Sequence, residues 1–466
     1  MANLDNVDNQ LIMEFDKLPL DFWDFRNVNI KELTHGIHSY PAVMVYPISR
    51  NIIKIIEKFQ PVETILDPFM GSGTILVEGM INNFNKVYGN DLNPLAKLIS
   101  EVRTTPINPI DLNKIVSDII EKIELEFLKH EGILNNINNK INSKFDITEK
   151  KGWGDNAPEI LNNYLDGKFE TPNFKSIGYW FIPSVIVELQ IIKNIIRSIE
   201  NENIRKFAMV AFSETVRLAS NRRNGEFKMY RMKKEKIYDY KPNTKEIFIN
   251  TLLCYVEKMN DFYKIYNKNT EVNIVKEDSR ILSYVPNNSV DILITSPPYG
   301  DSRTTVAYGE FSKVSLQWLD LENEEVIGID KSLMGGEKYN KGFEFNLESE
   351  TLKNSLTKIK REDLARAGDV YSFYEDLDKC LKSVAKKMKK NSYQFWVVGN
   401  RTVKKETLLT DKILTELGKQ YGLIHVITLG RNIPNKVMPG LNSPSNIPGE
   451  KVSTMTNEHI VILRKE

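Results

Sequence analysis

Cysteine is nearly missing from this chain: its 466 residues include two, Cys254 and Cys380. They lie too far apart in sequence to suggest a disulfide framework or a paired metal-ligand spacing. Both fall in helix-periodic stretches, NTLLCYVEK and LDKCLKSV, and are expected to be small core residues. Charge of one sign is lacking too. Lys and Arg total 63 against 62 for Asp and Glu, giving a net charge of +1 and a pI near 7.6. That excludes a uniformly basic coat, so any nucleic-acid contact must come from local patches. No apolar run approaches the ~20 residues needed to span a bilayer. The opening MANLDNVDNQ has neither the basic start nor the apolar stretch of a secretory leader. A reducing, cytoplasmic setting without membrane contact is expected. Histidine is scarce, and His35 and His38 have no further partner at ligand spacing. A structural role is expected for both, and no metal. There is no G-x-G-x-x-G, and no Lys follows Gly71 and Gly73 as in a phosphate-binding P-loop.

What remains is the composition of a globular protein long enough for two or three domains. Residues 1–30 mix Phe15, Leu18, Phe22, Trp23 and Phe25 with acids, as an N-terminal arm packed on the main body would. In 31–60, Pro41 and Pro47 are expected to hold an extended segment. Ile48, Ile52, Ile55, Ile56 and Phe59 then follow at helical spacing. Strand and helix patterns alternate from there: ETILDPF (63–69), TILVEGMIN (74–82), KVYGNDL (86–92) and PLAKLISEVR (94–103). Such alternation implies parallel strands with right-handed crossovers. Residues 109–268 break the pattern with long helical periods at 110–128, 184–199, 203–219 and 244–266. Strands resume at VNIVKED (272–278), VDILITS (290–296), SYQFWVV (392–398), IHVITLG (424–430) and EHIVILRK (458–465). The expected fold is α/β, a Rossmann-like sheet of about seven strands with a large, mainly helical insertion. Residues 321–368 read as a mobile insertion with some helix. The Pro- and Asn-rich 431–457 reads as a loop between the last two strands.

Two loops carry the chemistry. In DPFMGSGT a strand ends at Asp67, Pro68 and Phe69 follow, and Gly71 and Gly73 allow a tight turn and close backbone approach. The helix from Thr74 points its N-terminus, with its positive dipole end, at the same place and favours a ligand carboxylate. Asp67 can take an ammonium group. Asp91, at the tip of the second strand, is placed for ribose hydroxyls, and Asp278, after the third, for an adenine amine. Taken singly, each glycine is equally an ordinary turn and each acid an ordinary helix cap. The second loop is Ser296-Pro297-Pro298-Tyr299. A conjugated amine is a poor nucleophile until acceptors around its N–H bonds draw it toward tetrahedral geometry. The Ser296 hydroxyl and the Pro297 carbonyl can serve as acceptors, the prolines keep them fixed, and Tyr299 can stack on a ring. No Pro-Cys pair offers the thiolate that methylation at a ring carbon needs.

DPFMGSGT with TSPPY resembles the motif pair of the S-adenosylmethionine-dependent DNA amino-methyltransferases. The likeness covers most of 31–108 and 270–466. HSYPAVMVYPISRNII, with Tyr40 and Pro41, is similar to the family's motif beside the methionine end of the cofactor. The likeness implies a catalytic domain over 31–108 and 269–466 that uses S-adenosylmethionine. Cofactor contacts would come from Asp67 to Thr74, Asp91 and Asp278, and catalysis from Ser296 to Tyr299. Members with Ser first in the quartet mostly methylate cytosine N4, and those with Asp or Asn first mostly adenine N6. Adenine N6, an RNA amine and a non-catalytic nucleic-acid binder stay open as alternatives. The order of the two halves matches the family's alpha type, yet the large insertion comes before the third strand rather than after it. Residues 109–268 are a possible DNA-recognition region, although in the family's alpha-type order the target-recognition region usually follows the third strand. The partners expected are double-stranded DNA, whose target base must be flipped out, and a separately encoded restriction endonuclease. For the phosphates the stretch 216–236 stands out, with Arg217, Arg222, Arg223, Lys228 and Arg231 among Phe227 and Tyr230. The competing reading is a solvated helix end. Arg303 and Tyr308, just past the quartet, are candidates to touch DNA or close over the base. Lys386, Lys387, Lys389 and Lys390 read as a solvated helix face.

Overall fold

A computed structural model describes residues 5–165, 170–223, 227–302, 305, 308–320, 323–339, 344, 346–433, 441–442, 452–453 and 457–466. Arg303 and most of 434–456 lie outside the described residues.

Seven strands form one sheet: β1 (Thr64–Asp67), β2 (Lys86–Asn90), β3 (Glu271–Val275), β4 (Val290–Thr295), β5 (Met388–Gly399), β6 (Leu423–Asn432) and β7 (Asn457–Lys465). Their order is β3-β2-β1-β4-β5-β7-β6. The first five run parallel, and β7 lies antiparallel between β5 and β6. The central strands are apolar at successive residues because both faces are covered. Leu66, Leu293, Trp396 and Val461 pack on one face, and Ile65, Ile292, Phe395 and Ile460 on the other. From β1 the chain steps outward to β2 and β3, then returns to β4 on the far side of β1. The strand order therefore reverses between β1 and β4, and a crevice opens at their C-terminal ends.

The first face is covered mainly by the helices Glu350–Glu362 and Leu364–Lys387. The second is covered by α1 (Asn6–Asp16), α2 (Tyr46–Ile56) and part of α3 (Thr74–Ile81). α4 (Pro94–Thr104) leads into a helical body spanning Pro109 to Ile265. This body shares a continuous core with α4 and with the helix Tyr308–Trp318. The N-terminal arm is fastened to the far edge of the sheet. Asp8 accepts from Tyr393 and from Arg464, and Arg431 donates to the Trp23 carbonyl.

Three sequence expectations are corrected. Pro47 does not hold an extended segment but lies in the first turn of α2, where its missing N–H is no loss. Residues 350–362 form a regular helix with Leu352, Leu356 and Ile359 buried. Cys254 is exposed while Cys380 is buried. The apolar stripe of the helix Thr244–Ile265 runs through Phe248, Leu252, Tyr255, Met259 and Phe262 and passes Cys254 by. Finally, Lys389 and Lys390 lie on β5, and Lys387 is buried against Asn287.

Candidate active site

The glycine loop leaves β1 at Asp67 and enters α3 at Thr74. Gly71 and Gly73 both adopt left-handed backbone, with φ of +49° and +81°. At Gly73 a Cβ would stand 2.9 Å from Ser100 Oγ and 3.1 Å from Ser100 Cα, so the loop lies directly on α4. No side chain caps the start of α3. α4 holds the loop from beneath. Ser100 donates to the Gly71 carbonyl at 2.9 Å, and buried Arg103 donates to Ser72 and to the Ile37 and His38 carbonyls. Neither supporting residue stands out in the sequence, because Ser100 lies within an ordinary amphipathic helix and Arg103 in its last turn.

A cleft opens above this loop. Tyr40, Pro41, Asp67, Phe69, Gly71, Thr74, Asp91, Asp278, Ser296 and Pro298 line it, together with Met44, Arg280 and Tyr308; Gly73, Pro297 and Tyr299 are not among the lining residues. The parallel register of β1 and β4 explains why two remote motifs meet. Ile65 pairs with Ile292 and Leu66 with Leu293, so both strands end at the same level. The Thr295 hydroxyl then donates to Asp67 Oδ1 at 2.6 Å, tying the residue before Ser296 to the acid of the glycine loop.

The two acids of the cleft are unusual. Asp67 also accepts from the Phe69 amide, and Asp91 from the amides of Gly71 and Asn93. Among the described residues neither is ion-paired. Burial pushes Asp67 up to about 7 and Asp91 up to about 6. Both are thus suited to a ligand that brings positive charge. Asp278 differs from expectation. Arg280 donates to both its carboxylate oxygens at 2.8–2.9 Å and pairs with Asp376 at 2.9 Å. An adenine amine would have to share this carboxylate with the guanidinium.

Ser296 and Pro298 face the cleft, whereas Pro297 is buried. The Tyr299 hydroxyl donates to Glu458 Oε1 at 2.8 Å and lies 3.3 Å from Ser296 Oγ. Burial, then the Glu458 carboxylate, hold the Tyr299 phenol well above its usual range. On the opposite rim the Tyr308 ring stacks on Tyr40, with centroids 6.0 Å apart. Asn93 donates to the Tyr40 hydroxyl and to Ser312, which fastens the helix Tyr308–Trp318 to the cleft.

The basic stretch is divided by burial. Arg217 and Arg222 are 5% and 1% exposed, which corrects their expected role as phosphate contacts. Arg217 lies over the Phe311 ring at 3.7 Å and 3.8 Å from Glu214. Arg231 gives its donors to the carbonyls of Tyr179, Thr148 and Ile147, so it too serves structure. Arg223 and Lys228 are exposed, beside the half-exposed rings of Phe227 and Tyr230. This strip docks on the cleft-rim helix, where Phe227 meets Phe311 and the Met229 amide donates to Glu310.

His35 bonds Glu78 at 2.8 Å, and His38 bonds Ser213 at 2.9 Å and the Ser39 carbonyl at 2.6 Å. Burial lowers His38 to about 4. These contacts hold the segment bearing Tyr40 and Pro41 against α3 and the helical body. Among the described residues no group of three His, Cys, Asp or Glu could hold a metal, and no helix is long and apolar enough to cross a membrane.

A sheet whose order reverses at β1/β4, with a glycine loop and an SPPY loop bonded across that reversal, defines an α/β methyltransferase. No protein-family model matches the chain. It is 39% identical, over 489 aligned positions covering 100% of this chain and 99% of the relative, to the type II methyltransferase M.MvaI of Kocuria varians. It is 26% identical to the type II methyltransferase M.MjaII of Methanocaldococcus jannaschii, over 68% of this chain and 69% of that one. The chain belongs to the type II methyltransferases, a family of DNA methyltransferases. The solved rRNA methyltransferase aviRa of Streptomyces viridochromogenes overlaps 94% of this chain and 90% of its own at 10% identity; the TM-score is 0.28, and nothing follows from it for this chain.

Proposed function

We propose that this protein methylates the exocyclic N4 of cytosine in double-stranded DNA at one short sequence, with S-adenosylmethionine as donor. The observation that carries the reading is the Thr295–Asp67 hydrogen bond, which joins the glycine loop and the SPPY loop in one cleft. The cleft fits such a donor. Its two buried acids lack a cationic side-chain partner among the described residues, and the start of α3 is uncapped. When bound, S-adenosylmethionine supplies an electrophilic methyl group on a positively charged sulfur.

Asp67 would hold the ammonium group, Gly71, Gly73 and Thr74 the carboxylate, and Asp91 the ribose hydroxyls. Tyr40, Pro41 and Phe69 would flank the ligand, and Asp278 with Arg280 would meet the adenine end. Ser296 Oγ and the Pro297 carbonyl accept the two N–H bonds of the target amine. This turns the nitrogen lone pair out of conjugation and aims it into the cleft. Pro298 keeps the two acceptors from reorganising. Serine at the first position favours cytosine over adenine.

The target base must leave the duplex to reach Ser296. Arg223 and Lys228 are assigned to phosphates, with Phe227 and Tyr230 beside them, and the helical body 109–268 to sequence recognition. Residues 31–108 and 269–466 form the catalytic domain. The modification would protect host DNA from a separately encoded restriction endonuclease.

The test is nucleoside analysis of duplex DNA incubated with the protein and labelled donor. N4-methylcytosine is expected, and its formation should collapse in Ser296→Ala while donor binding persists. N6-methyladenine would overturn the base assignment. No methylated amine at all would overturn the reading.

A further inference from the structure

Glu458 lies 159 residues from Tyr299 in sequence yet accepts its hydroxyl at 2.8 Å. The sheet explains the meeting. Glu458 is the second residue of β7, opposite Gly399 of β5 and Arg431 of β6. Gly399 puts no side chain between Glu458 and the loop beyond β4. On the other side Arg431 pairs with Glu458 Oε2, and its Nε donates to the Trp23 carbonyl at 3.0 Å. Glu458 thus accepts from two sides, from Arg431 at Oε2 and from the Tyr299 hydroxyl at Oε1.

That fixes the direction of every hydrogen bond up to the cleft. The single phenolic hydrogen of Tyr299 is committed to Glu458, so its oxygen can only accept. Ser296, 3.3 Å away, must then be the donor of that pair. The distance is long for two hydroxyls, as hydrogen bonds at catalytic groups often are without substrate. With its own hydrogen turned toward Tyr299, Ser296 presents lone pairs to the cleft. We propose that Glu458 is a positioning residue that, through Tyr299, holds Ser296 as a hydrogen-bond acceptor for the target amine, with Arg431 and the N-terminal arm keeping it in place. The proposal rests on the reading of Ser296 as the group that meets the amine. It gives the Tyr299 hydroxyl a task separate from any stacking by its ring.

The test compares single-turnover methyl transfer to duplex DNA by the wild type, Tyr299→Phe, Glu458→Gln and the double variant, with donor and DNA affinities measured separately. Tyr299→Phe keeps the ring and removes the hydroxyl; the rate should fall roughly tenfold or more, the size expected for a lost charge-linked hydrogen bond, with affinities within about twofold. Glu458→Gln should lose rate similarly. The double variant should be no slower than Tyr299→Phe, since the two residues act in series. A wild-type rate in Tyr299→Phe, or losses that multiply in the double variant, overturns the proposal. If Glu458→Gln fails to fold, Tyr299→Phe decides alone. A wild-type protein that methylates no exocyclic amine overturns the reading of the site instead.

Discussion

Asp67 gives a quantitative handle on how the cleft holds its ligand. Burial places its carboxyl near 7, and only the ionised form can hold an ammonium group. A cation bound beside it lowers its pKa again, so binding near neutral pH must release a proton. At pH 8 roughly nine-tenths of Asp67 is ionised, and at pH 6 roughly one-tenth. Affinity for S-adenosylmethionine should therefore fall about tenfold from pH 8 to pH 6, or about 1.4 kcal/mol. Asp91, held near 6, adds to the slope at the acid end. The assay is titration calorimetry at both pH values, in buffers of contrasting ionisation enthalpy, so that released protons are counted directly. Asp67→Asn should bind more weakly at pH 8 and lose most of the slope. The ligand-free protein gives the complementary sign. Between about pH 4 and 7 the folded chain keeps a proton on Asp67 that the unfolded chain has already lost, so this group's contribution to stability declines as pH rises. Thermal unfolding of Asp67→Asn should lack that component. Affinity independent of pH, or an unchanged slope in Asp67→Asn, would refute the assignment.

Gly73→Ala places a side chain at φ +81° and a Cβ 2.9 Å from Ser100 Oγ. Unfolding in urea should show a loss of about 2–4 kcal/mol from strain and crowding together; unchanged stability would mean that the loop does not lie against α4. Arg223→Ala and Lys228→Ala should each lower the salt slope of DNA binding by about 1 without changing sequence preference. Arg222→Ala should instead lower stability, since that side chain is 1% exposed; a pure effect on DNA affinity would contradict this division.

The strands were legible because β1 and β4 carry short runs of successive apolar, β-branched residues, as strands covered on both faces do, each followed by a proline turn. Asp67 and Asp91 were legible as cleft residues from their place at strand tips. The basic stretch was misleading because charge in a sequence says nothing of depth. Arg217 closes the helix Glu202–Ala219 inside the protein, and Arg231 turns in to three backbone carbonyls. Glu458 was invisible for another reason. Its contact with Tyr299 depends on β7 being laid antiparallel on β5 with Gly399 opposite, and no local pattern around NEHIVILRK announces that register. Arg280 was missed although it lies two residues from Asp278, because a motif names the acid and not the partner that holds it.

The central claim is that the methyl donor and Ser296 share one cleft, and a crystal structure with S-adenosylmethionine bound tests it most directly. The account predicts the methionine end over Gly71 and Asp67, with the methyl carbon facing the Ser296–Pro297 acceptors and room between them for an amine nitrogen at about 3–3.5 Å from that carbon. A donor bound elsewhere, or one whose methyl group points away from Ser296, would contradict it.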